Sequence, residues 1–380
     1  VYDSMGDIYC LFYEKGLSIL RNGGVLSFIT SNKWMRAGYG EKLRGFFVKN
    51  NPLTLIDLGP NVFDTATVDT NILFVEKNQY KHATISCSMK SRTEKMSDFV
   101  RQNAMLQDFT KNSWCILNPI ERSIKEKIEK IGVPLKDWDI KIYRGILTGC
   151  NEAFIIDGET KDALIAQDPK SAEIIRPILR GRDIKRYSYD FADKWLIATH
   201  NGTPTQERIK IEDYPAVKMH LDSYYAKIAK RDDQGDTPYN LRCCAYWDDF
   251  SKPKIVWASV GETFYSKVDE NQFLLDTNYF FSTHEPYYFL GILNSKLITF
   301  WINSEDTPIG SGGAFRHYKY NLEKLAIPIL DVGDRQYIEQ LVKNILKSES
   351  NDAKKDIDTF IFKIFKLTKE EINFVEQNIK

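Results

Sequence analysis

Hydrophobic and polar positions near the start of the chain follow first a helical and then a strand-like pattern. Residues 8–20 place apolar side chains three to five positions apart, which predicts an amphipathic helix that ends before Gly23. The next segments predict, in order, a short and fully buried strand, an amphipathic helix and two further strands: 25–31 (VLSFITS), 41–50, 53–59 and 71–77.

The order of these elements predicts an α/β sheet whose last strand is reversed. Helices that alternate with strands are typical of a parallel sheet. The connection between 53–59 and 71–77 contains Phe63 and shows no helical pattern, so we expect strand 71–77 to run antiparallel. Three strands would leave an apolar edge open. We therefore expect further strands from residues that precede Val1 or from a partner chain, and we favour the first source.

From about residue 113 the pattern becomes less regular. A charged helix is predicted at 119–131, followed by short strand-like pieces rich in tyrosine, tryptophan, phenylalanine and isoleucine. Glycine-containing turns separate these pieces, and helical patterns interrupt them at 171–180, 206–229 and 286–302. This mixture predicts an α+β domain.

The last part of the chain returns to helical periodicity. Two helices are predicted at 335–350 and 353–365, and Thr368 opens a capping box that starts a further helical turn. We therefore divide the chain into an α/β domain, an α+β domain and a helical C-terminal segment: 1–112, 113–330 and 331–380.

Composition and charge exclude several classes of protein. Hydrophobic residues make up 43% and charged residues 27% of the chain, which is typical of a folded globular protein. The 52 basic residues balance the 52 acidic ones, so a polyanionic partner must be bound by a local basic patch. The six cysteines form no C-x-x-C pair and the five histidines show no metal-ligand spacing, so we predict neither a disulfide scaffold nor a metal site. With no membrane-length apolar run and no signal-peptide pattern, we expect a cytoplasmic protein that does not enter a membrane.

Four long segments of the first domain carry a resemblance to a known family. They are DIYCLFYEKGLSIL, NGGVLSFITSNKW, GEKLRGFF and VFDTATVDTNILFVEK, at 7–20, 22–34, 40–47 and 62–77. In this order they resemble the second half of the catalytic domain of gamma-class N6-adenine DNA methyltransferases, and most strongly the fused restriction-modification enzymes of type IIG. The reversed strand predicted above is similar to the antiparallel strand of that fold.

Later segments extend the resemblance to the rest of the chain. Five of them are similar to the C-terminal target-recognition domain of these enzymes: 144–157, 171–187, 241–257, 290–301 and 320–329. Residues 356–376 are similar to their helical ending. The resemblance therefore implies a partial Rossmann-like methyltransferase domain, a DNA target-recognition domain and a helical tail.

Two elements of the family do not occur in this sequence. The catalytic tetrapeptide, Asn or Asp followed by Pro-Pro and an aromatic residue, is missing, because the chain contains no Pro-Pro. No strand is followed by a glycine-rich turn that could hold S-adenosylmethionine. In the gamma-class order both elements precede the segment that begins at Asp7. We therefore expect a fragment without catalytic residues of its own, from a parent protein that binds S-adenosylmethionine.

The resemblance implies that the parent protein transfers a methyl group to adenine N6 in a short site of double-stranded DNA. The fragment would read that site. A methyltransferase portion, or a nuclease portion as in type IIG enzymes, would belong to the same polypeptide. The alternative is a non-catalytic DNA-specificity or phage-defence interaction subunit that works with a separate methyltransferase.

The resemblance also suggests which residues surround a base flipped out of the duplex: Phe63, Asp7, Tyr9, Asn32 and Trp34. Phe63 occupies the position of the aromatic residue that stacks on the flipped adenine in this family, and a plug at the base of the hairpin is its alternative role. Asn32 and Trp34 follow a strand at its carboxyl end, where α/β sheets bind ligands. A helix cap remains the alternative for Asp7, and a core position remains the alternative for Trp34.

Candidate DNA contacts lie in three later segments. Basic residues that could bind phosphates, or simply form a solvated surface, crowd one short stretch: Arg176, Arg180, Arg182, Lys185 and Arg186. Arg144, Thr148 and Asn151 belong to RGILTGCN, where Arg and Asn side chains can read base edges and an ordinary turn is the alternative. The loop GSGGAFRH (310–317) ends in Arg316 and His317. A contact with DNA through Arg316 is one interpretation of this loop, and an ordered linker is the other.

Overall fold

The computed structural model gives the positions of most of the chain. It describes residues 3, 4, 6–59, 62, 63, 68–89, 95–203, 205–270, 273–309 and 314–379, apart from the side chains of 307–309. Residues 310–313 of the GSGGAFRH loop lie outside the described residues.

The first region contains a five-stranded sheet with helices packed on it. Its elements are α1 (Tyr9–Ile19), β1 (Val25–Ser31), α2 (Glu41–Phe47), β2 (Asn51–Gly59), β3 (Thr70–Glu76), β4 (Thr84–Ser88), α3 (Met96–Asn103) and β5 (Met105–Gln107). The strand order is β1-β3-β2-β4-β5. β3 lies between β1 and β2 and is antiparallel to both, so the predicted reversal of this strand is confirmed. The sequence patterns did not predict β4 or β5, which extend the sheet beyond β2.

One face of the sheet is well covered, and the other is covered only in part. Helices α1 and α2 pack their apolar side chains against the first face around Tyr13, Phe47 and Leu73. Residues of α3 cover part of the second face near Ile56. The prediction that strand 25–31 is fully buried is wrong. As an edge strand with helices on one face only, β1 exposes alternate residues, among them Ile29.

The second region is an α+β arrangement of short strands and helices. Its first elements are α4 (Pro119–Ile131), β6 (Gly132–Pro134), β7 (Tyr143–Arg144), α5 (Asn151–Phe154), β8 (Ile155–Asp157), α6 (Gly158–Gln167), β9 (Ile175–Leu179), β10 (Lys194–Ile197), α7 (Pro215–Asp222) and α8 (Tyr225–Ile228). They are followed by β11 (Pro253–Trp257), β12 (Val260–Gly261), β13 (Ser266–Glu270), β14 (Leu274–Leu275), β15 (Tyr279–Ser282), α9 (Pro286–Leu293), α10 (Lys296–Glu305), β16 (Thr307–Ile309), β17 (Ala314–Arg316), α11 (Lys319–Leu322) and β18 (Ala326–Pro328). The strands form four small sheets, ordered β14-β9-β10-β8, β13-β11-β15-β7, β12-β17-β16 and β18-β6.

The helix predicted at 171–180 is wrong. A short 3-10 helix covers Pro169–Glu173, and β9 follows it in a sheet between β10 and β14. Pro177 lies within β9, opposite Trp195. Since proline has no backbone N–H and clashes with the preceding helical turn, it disfavours a helix at this point. The basic residues of this stretch therefore do not share one helical face.

The C-terminal helices pack back onto the second region. They are α12 (Val332–Ser348), α13 (Asn351–Ile364) and α14 (Lys369–Asn378). The capping box predicted at Thr368 is confirmed, since the Thr368 and Glu371 side chains accept hydrogen bonds from each other's backbone N–H. Glu371 also accepts hydrogen bonds from Lys127 Nζ (2.6 Å) and Ser123 Oγ (2.7 Å) of α4. Within the described ranges, no helix has the length and apolarity that crossing a bilayer requires.

Candidate DNA-binding cleft

A cavity of about 760 Å³ lies between the sheet of the first region and the second region. From the sheet it is lined by Asn32, Asp57 and Asp69, which lie at the carboxyl ends of β1 and β2 and just before β3. From the second region it is lined by Asp306 and Phe315, among others. The cavity thus opens where the polar ends of the strands meet another domain, which is where α/β sheets commonly bind ligands.

The polar side chains at the sheet end form a short hydrogen-bonded chain. Asn32 Nδ2 donates to Asp57 Oδ1 at 2.9 Å, and the backbone N–H of Gly59 donates to the same oxygen at 3.2 Å. Asp69 is buried, and within the described residues its Oδ1 has no hydrogen-bond partner. Burial, reinforced by the charge of Asp57, raises the pKa of Asp69. Asp69 therefore offers the cavity a buried oxygen that is available to a ligand.

Buried charges connect the two regions beside this cavity. Glu305, at the end of α10, accepts hydrogen bonds from Ser113 Oγ (2.8 Å) and from Lys125 Nζ. Burial alone would raise the pKa of Glu305, but Lys125 and Ser113 hold it below its ordinary value. On the sheet side, the Arg36 guanidinium lies 3.9 Å from the Asp57 carboxylate. The negative charge of Glu305 also attracts this guanidinium. Of these interactions, the attraction between Arg36 and Glu305 links the end of the sheet to the second region.

A second set of contacts supports the same junction from the second region. Tyr320 Oη donates to the backbone carbonyl of Arg36 at 2.9 Å. Asp306, which lines the cavity, shares a 2.6 Å hydrogen bond with His317 Nδ1 and accepts a 2.8 Å hydrogen bond from Asn321. Burial raises the pKa of Asp306.

Phe63 lies on the surface in the connection between β2 and β3. Its side chain is 45% exposed, so it is not buried beneath the hairpin. The adjacent Val62 packs against a small apolar cluster that includes Met89, and Met89 lines the cavity. The stacking role of Phe63 remains a prediction, and its exposure near the cavity is compatible with it.

The other residues predicted around the flipped base occupy different environments. Tyr9 is buried in the core, shares a 2.8 Å hydrogen bond with the hydroxyl of Tyr39, and has its pKa raised by burial. Asp7 is exposed, and the residue that precedes α1 is Ile8, with no side-chain cap, so Asp7 does not cap the helix. Of the five candidates, Asn32 alone lines the cavity within the described part of the chain.

Trp34 requires a correction, because its side chain is 0% exposed. Its ring packs edge-on against Phe47 and Trp114, with ring centroids 5.0 and 5.2 Å apart. A ring enclosed in this way cannot stack on a base, so Trp34 is a core residue that supports the turn after β1.

Three of the candidate DNA contacts lie on neighbouring elements of the second region, and the first of them follows a residue that lines the cavity. Phe315 of β17 lines the cavity, and the next residue, Arg316, is exposed. Arg316 pairs with Val260 of β12, and β12 contacts the 3-10 turn Gly181–Asp183, which carries the exposed Arg182.

The turn between β14 and β15 connects these elements to the segment that contains Arg144. Asn278 Oδ1 accepts a 3.3 Å hydrogen bond from the N–H of Ser259, next to β12. The carbonyl of Asn278 accepts a 2.6 Å hydrogen bond from the N–H of Gly145, next to the exposed Arg144. Arg144 also interacts electrostatically with Asp276 in the same turn. We call the exposed series Arg316, Arg182 and Arg144 the basic path.

The remaining cations of the predicted cluster are less available. The Arg180 guanidinium forms two hydrogen bonds to Asp183, at 3.0 and 2.8 Å, and stabilises the 3-10 turn. Arg186 donates to the backbone carbonyl of Asn294. Both guanidinium groups are engaged in hydrogen bonds within the protein, so the prediction that Arg180 and Arg186 bind phosphates is corrected.

Lys185 and Arg176 are exposed but differ in their surroundings. Lys185 Nζ donates to the carbonyl of Arg182 at 3.1 Å and lies 3.7 Å from Asp190, so its charge is partly balanced. Arg176 lines a smaller cavity of about 260 Å³, together with Glu173 and His200. Neither belongs to the basic path, and their DNA contacts remain predictions.

Thr148 is also corrected, because it is buried within its own turn. Its Oγ1 donates to Asn151 Oδ1 at 2.5 Å and accepts from the N–H of Cys150 at 3.1 Å. Thr148 therefore shapes the turn and does not face DNA. Asn151 is exposed, and the hydrogen bond from Thr148 orients its amide.

Sequence reasoning missed Arg36, Asp57 and Asp69 at the cavity. Asp57 and Asp69 lie at the end of one predicted strand and near the start of the next, so the rule that places ligands at carboxyl strand ends could have found them. No local signal marks Arg36, because its importance comes from Glu305, far away in the sequence.

The described residues do not fit S-adenosylmethionine. At its carboxyl end β1 continues into Asn32, whose amide is bound to Asp57, and then into the 3-10 turn Lys33–Met35. A glycine-rich turn that could approach the cofactor closely is not found at this strand end. We therefore derive no methyl-transfer step from these residues. Among the described residues, no group of His, Cys, Asp and Glu could hold a metal ion.

Two family models match the chain. Residues 1–63 match the Eco57I restriction-modification methylase, and residues 176–329 match the TaqI-like C-terminal specificity domain. The predicted resemblance to restriction-modification methyltransferases with a target-recognition domain is confirmed. The boundaries predicted at 112 and 330 remain predictions.

Curated proteins and solved structures similar to the chain include two restriction-modification methyltransferases and one enzyme solved with DNA. The type II methyltransferase M.BstVI of Geobacillus stearothermophilus is 22% identical over all of the chain and 70% of its own length. The type II restriction enzyme and methyltransferase RM.Eco57I of Escherichia coli is 26% identical over 56% of the chain and 23% of its own length. The type IIL restriction-modification enzyme MmeI, solved in complex with DNA, superposes with a TM-score of 0.65 at 12% identity.

The MmeI match covers 98% of the chain and 52% of MmeI, so the chain spans about half the length of that enzyme. The likeness extends through both regions and shows the fold: a methyltransferase-like sheet, a specificity domain and a helical tail. The chain is thus similar to an Eco57I restriction-modification methylase at residues 1–63 and to a TaqI-like C-terminal specificity domain at residues 176–329.

Proposed function

We propose that this chain reads a short DNA sequence for an adenine-N6 methyltransferase of a restriction-modification system. The basic path carries this proposal, because its three exposed arginines lie on neighbouring elements, the first of them next to the cavity-lining Phe315. Arginines in such a row can neutralise successive phosphates and set the register of the duplex. MmeI, which superposes on nearly the whole chain, was solved in complex with DNA.

The cavity is proposed as the place where the target adenine is held outside the duplex. An enzyme that modifies a base must extrude it and hold it by stacking and by hydrogen bonds. Phe63 offers an exposed ring for stacking, and Asn32 and Asp69 offer polar groups at the end of a partial Rossmann-like sheet. S-adenosylmethionine and the catalytic tetrapeptide would come from a portion of the parent protein outside this sequence, which contains no Pro-Pro.

A selection experiment tests the proposal. The 380-residue chain is incubated with a randomised pool of DNA duplexes, and the bound duplexes are sequenced over several rounds. We expect a single short consensus that contains an adenine. A pool that stays random after selection would contradict sequence-specific recognition.

A methylation assay tests the division of labour within the parent protein. With radiolabelled S-adenosylmethionine and the selected duplex, the chain alone should transfer no label above the level without protein. Transfer of label by the chain alone would show that the missing motifs are replaced by other residues here.

A further inference from the structure

A buried arginine joins two surface segments of the specificity domain. Arg231 is only 6% exposed, and its guanidinium donates hydrogen bonds to backbone carbonyls alone. Its acceptors are four backbone carbonyls, those of Thr148, Asn240, Asp233 (3.1 Å) and Pro238 (3.0 Å). One side chain thus connects the turn at 148 to three points of the hairpin 231–242.

Arg231 is buried without the ion pair that usually accompanies a buried charge. Among the described residues, no carboxylate lies within ion-pair distance of its guanidinium, and its other close neighbour is the ring of Phe154, 4.3 Å away. Burial lowers the pKa of Arg231 to about 10. Burying an unpaired charge costs stability. The compensating gain lies in geometry, because a planar, multidentate guanidinium can join several acceptors in a fixed arrangement and an ammonium cannot.

The two segments are in direct contact around this arginine. Gly149 has a φ of +66°, a left-handed conformation that favours glycine. A Cβ atom at this position would lie 3.2 Å from the Cβ atoms of both Arg231 and Asp233. The hairpin itself is closed by a bridge between Gln234 and Leu241. The turn and the hairpin therefore form one unit.

This unit exposes side chains of the types that read base edges. Asn151 extends from the turn, and Gln234 and Arg242 extend from the hairpin. Asn and Gln can bond to adenine with two hydrogen bonds, and Arg can do so with guanine. Two of the three are already oriented, Asn151 by Thr148 (2.5 Å) and Arg242 by Asp233 (3.2 Å).

We propose that Arg231 is a positioning residue for sequence readout, which holds the 148–151 turn and the 231–242 hairpin as one rigid recognition unit. This proposal rests on the proposed function, and it concerns discrimination between sequences. Arg231 itself does not contact DNA. General affinity for DNA comes from the basic path, which does not depend on Arg231.

The test compares the wild-type chain with R231K, which keeps the charge but loses the multidentate geometry. Two affinities are measured for each protein, for a duplex of the selected sequence and for an unrelated duplex of the same length. We expect R231K to reduce the ratio of the two affinities by about tenfold or more, which corresponds to the loss of one good base contact. Its affinity for the unrelated duplex and the salt dependence of that affinity should not change. R122K, at an exposed position of α4, is the matched control and should keep the full ratio.

A second variant decides the question if R231K does not fold. G149A keeps Arg231 but pushes the turn away from the hairpin, and it should reduce the same ratio while binding the unrelated duplex normally. A folded R231K or G149A that retains the wild-type ratio contradicts the positioning role. If the wild-type chain itself selects no sequence, the proposed function fails before this inference is reached, so the two failures are distinguishable.

Discussion

The methyltransferase-like segment and the specificity domain contribute different groups around the same cavity, although Asp306 of the second region also lines it. The first contributes the polar and acidic residues Asn32, Asp57 and Asp69, with no free cation among the described cavity-lining residues. The second contributes the basic path along the surface outside the cavity. Since carboxylates repel phosphates but can bond to a neutral base, the comparison separates two tasks. We infer that the specificity domain holds the DNA backbone and that the sheet end handles the extruded base.

The strongest way to break this comparison is to weaken the buried charge cluster at the junction of the two regions. Glu305→Ala removes the buried carboxylate that balances Lys125 and Arg36. Leaving buried charges unpaired should lower the free energy of unfolding by about 3–5 kcal/mol, measured by urea denaturation. Glu129→Ala is the matched control. Glu129 lies 3.9 Å from the same Lys125 ammonium but is half exposed, so its loss should change the free energy of unfolding by less than about 0.5 kcal/mol. Equal effects for the two variants would contradict a stabilising junction.

Removing the basic path tests the specificity domain's side of the comparison. The triple variant Arg144→Ala, Arg182→Ala and Arg316→Ala should bind DNA about 10- to 100-fold more weakly at low salt, because three phosphate contacts are lost. The affinity is measured by fluorescence anisotropy with a labelled duplex. The control replaces three exposed cations near the opposite end of the sheet, Arg21, Lys49 and Lys81, with alanine and should bind normally. A comparable loss in the control would indicate a nonspecific charge effect.

Phe63→Ala tests the sheet side of the comparison. Loss of a stacked base should weaken binding to the selected duplex by about 1–3 kcal/mol. The difference should vanish when the target adenine is replaced by an abasic site, because no base is left to stack. Phe12→Ala removes a ring that is also exposed but belongs to α1, and it should bind both duplexes as the wild type does. If Phe63→Ala binds the selected duplex normally, the ring does not stack on the target base.

The smallest effect concerns a buried charge inside the specificity domain. Lys267 is buried with its ammonium 3.7 Å from the centre of the Tyr189 ring, and burial lowers its pKa to about 8. Lys267→Met should raise the free energy of unfolding by about 1–2 kcal/mol at pH 7, since the desolvation cost exceeds the lost cation–π contact.

The lowered pKa of Lys267 also predicts how the free energy of unfolding changes with pH. The unfolded lysine keeps its proton up to about pH 10.4, whereas the folded lysine releases it near pH 8. Wild-type stability should therefore rise with pH between these values, and the advantage of Lys267→Met should shrink at pH 10. An advantage that stays constant from pH 7 to pH 10 would show that packing alone causes it.

The sequence predicted the long periodic elements well and the short ones poorly. The helix 119–131 and the capping box at Thr368 agree with the structure, because their hydrophobic period or side-chain chemistry is local. The strand 25–31 forms where it was predicted, although it is not fully buried. The helix predicted at 171–180 failed because tertiary pairing with β10 and β14, together with Pro177, favours a strand there.

The candidate site divides in the same way. Exposed cations such as Arg182 and Arg316 can be found from sequence, because composition and motif context mark them. Which cations are engaged within the protein cannot be found in this way. Arg186 bonds to Asn294, and Arg231 bonds to the turn at Thr148, across separations that no sequence period encodes.

The salt dependence of DNA binding tests the central claim most directly. The affinity of the 380-residue chain for a duplex is measured across a series of salt concentrations, beside the triple variant of the basic path. The account predicts a steep fall of the wild-type affinity with salt, and a slope shallower by about three in the variant, because each lost arginine releases about one counterion fewer. A wild-type affinity that does not depend on salt, or a variant with the same slope, would contradict it.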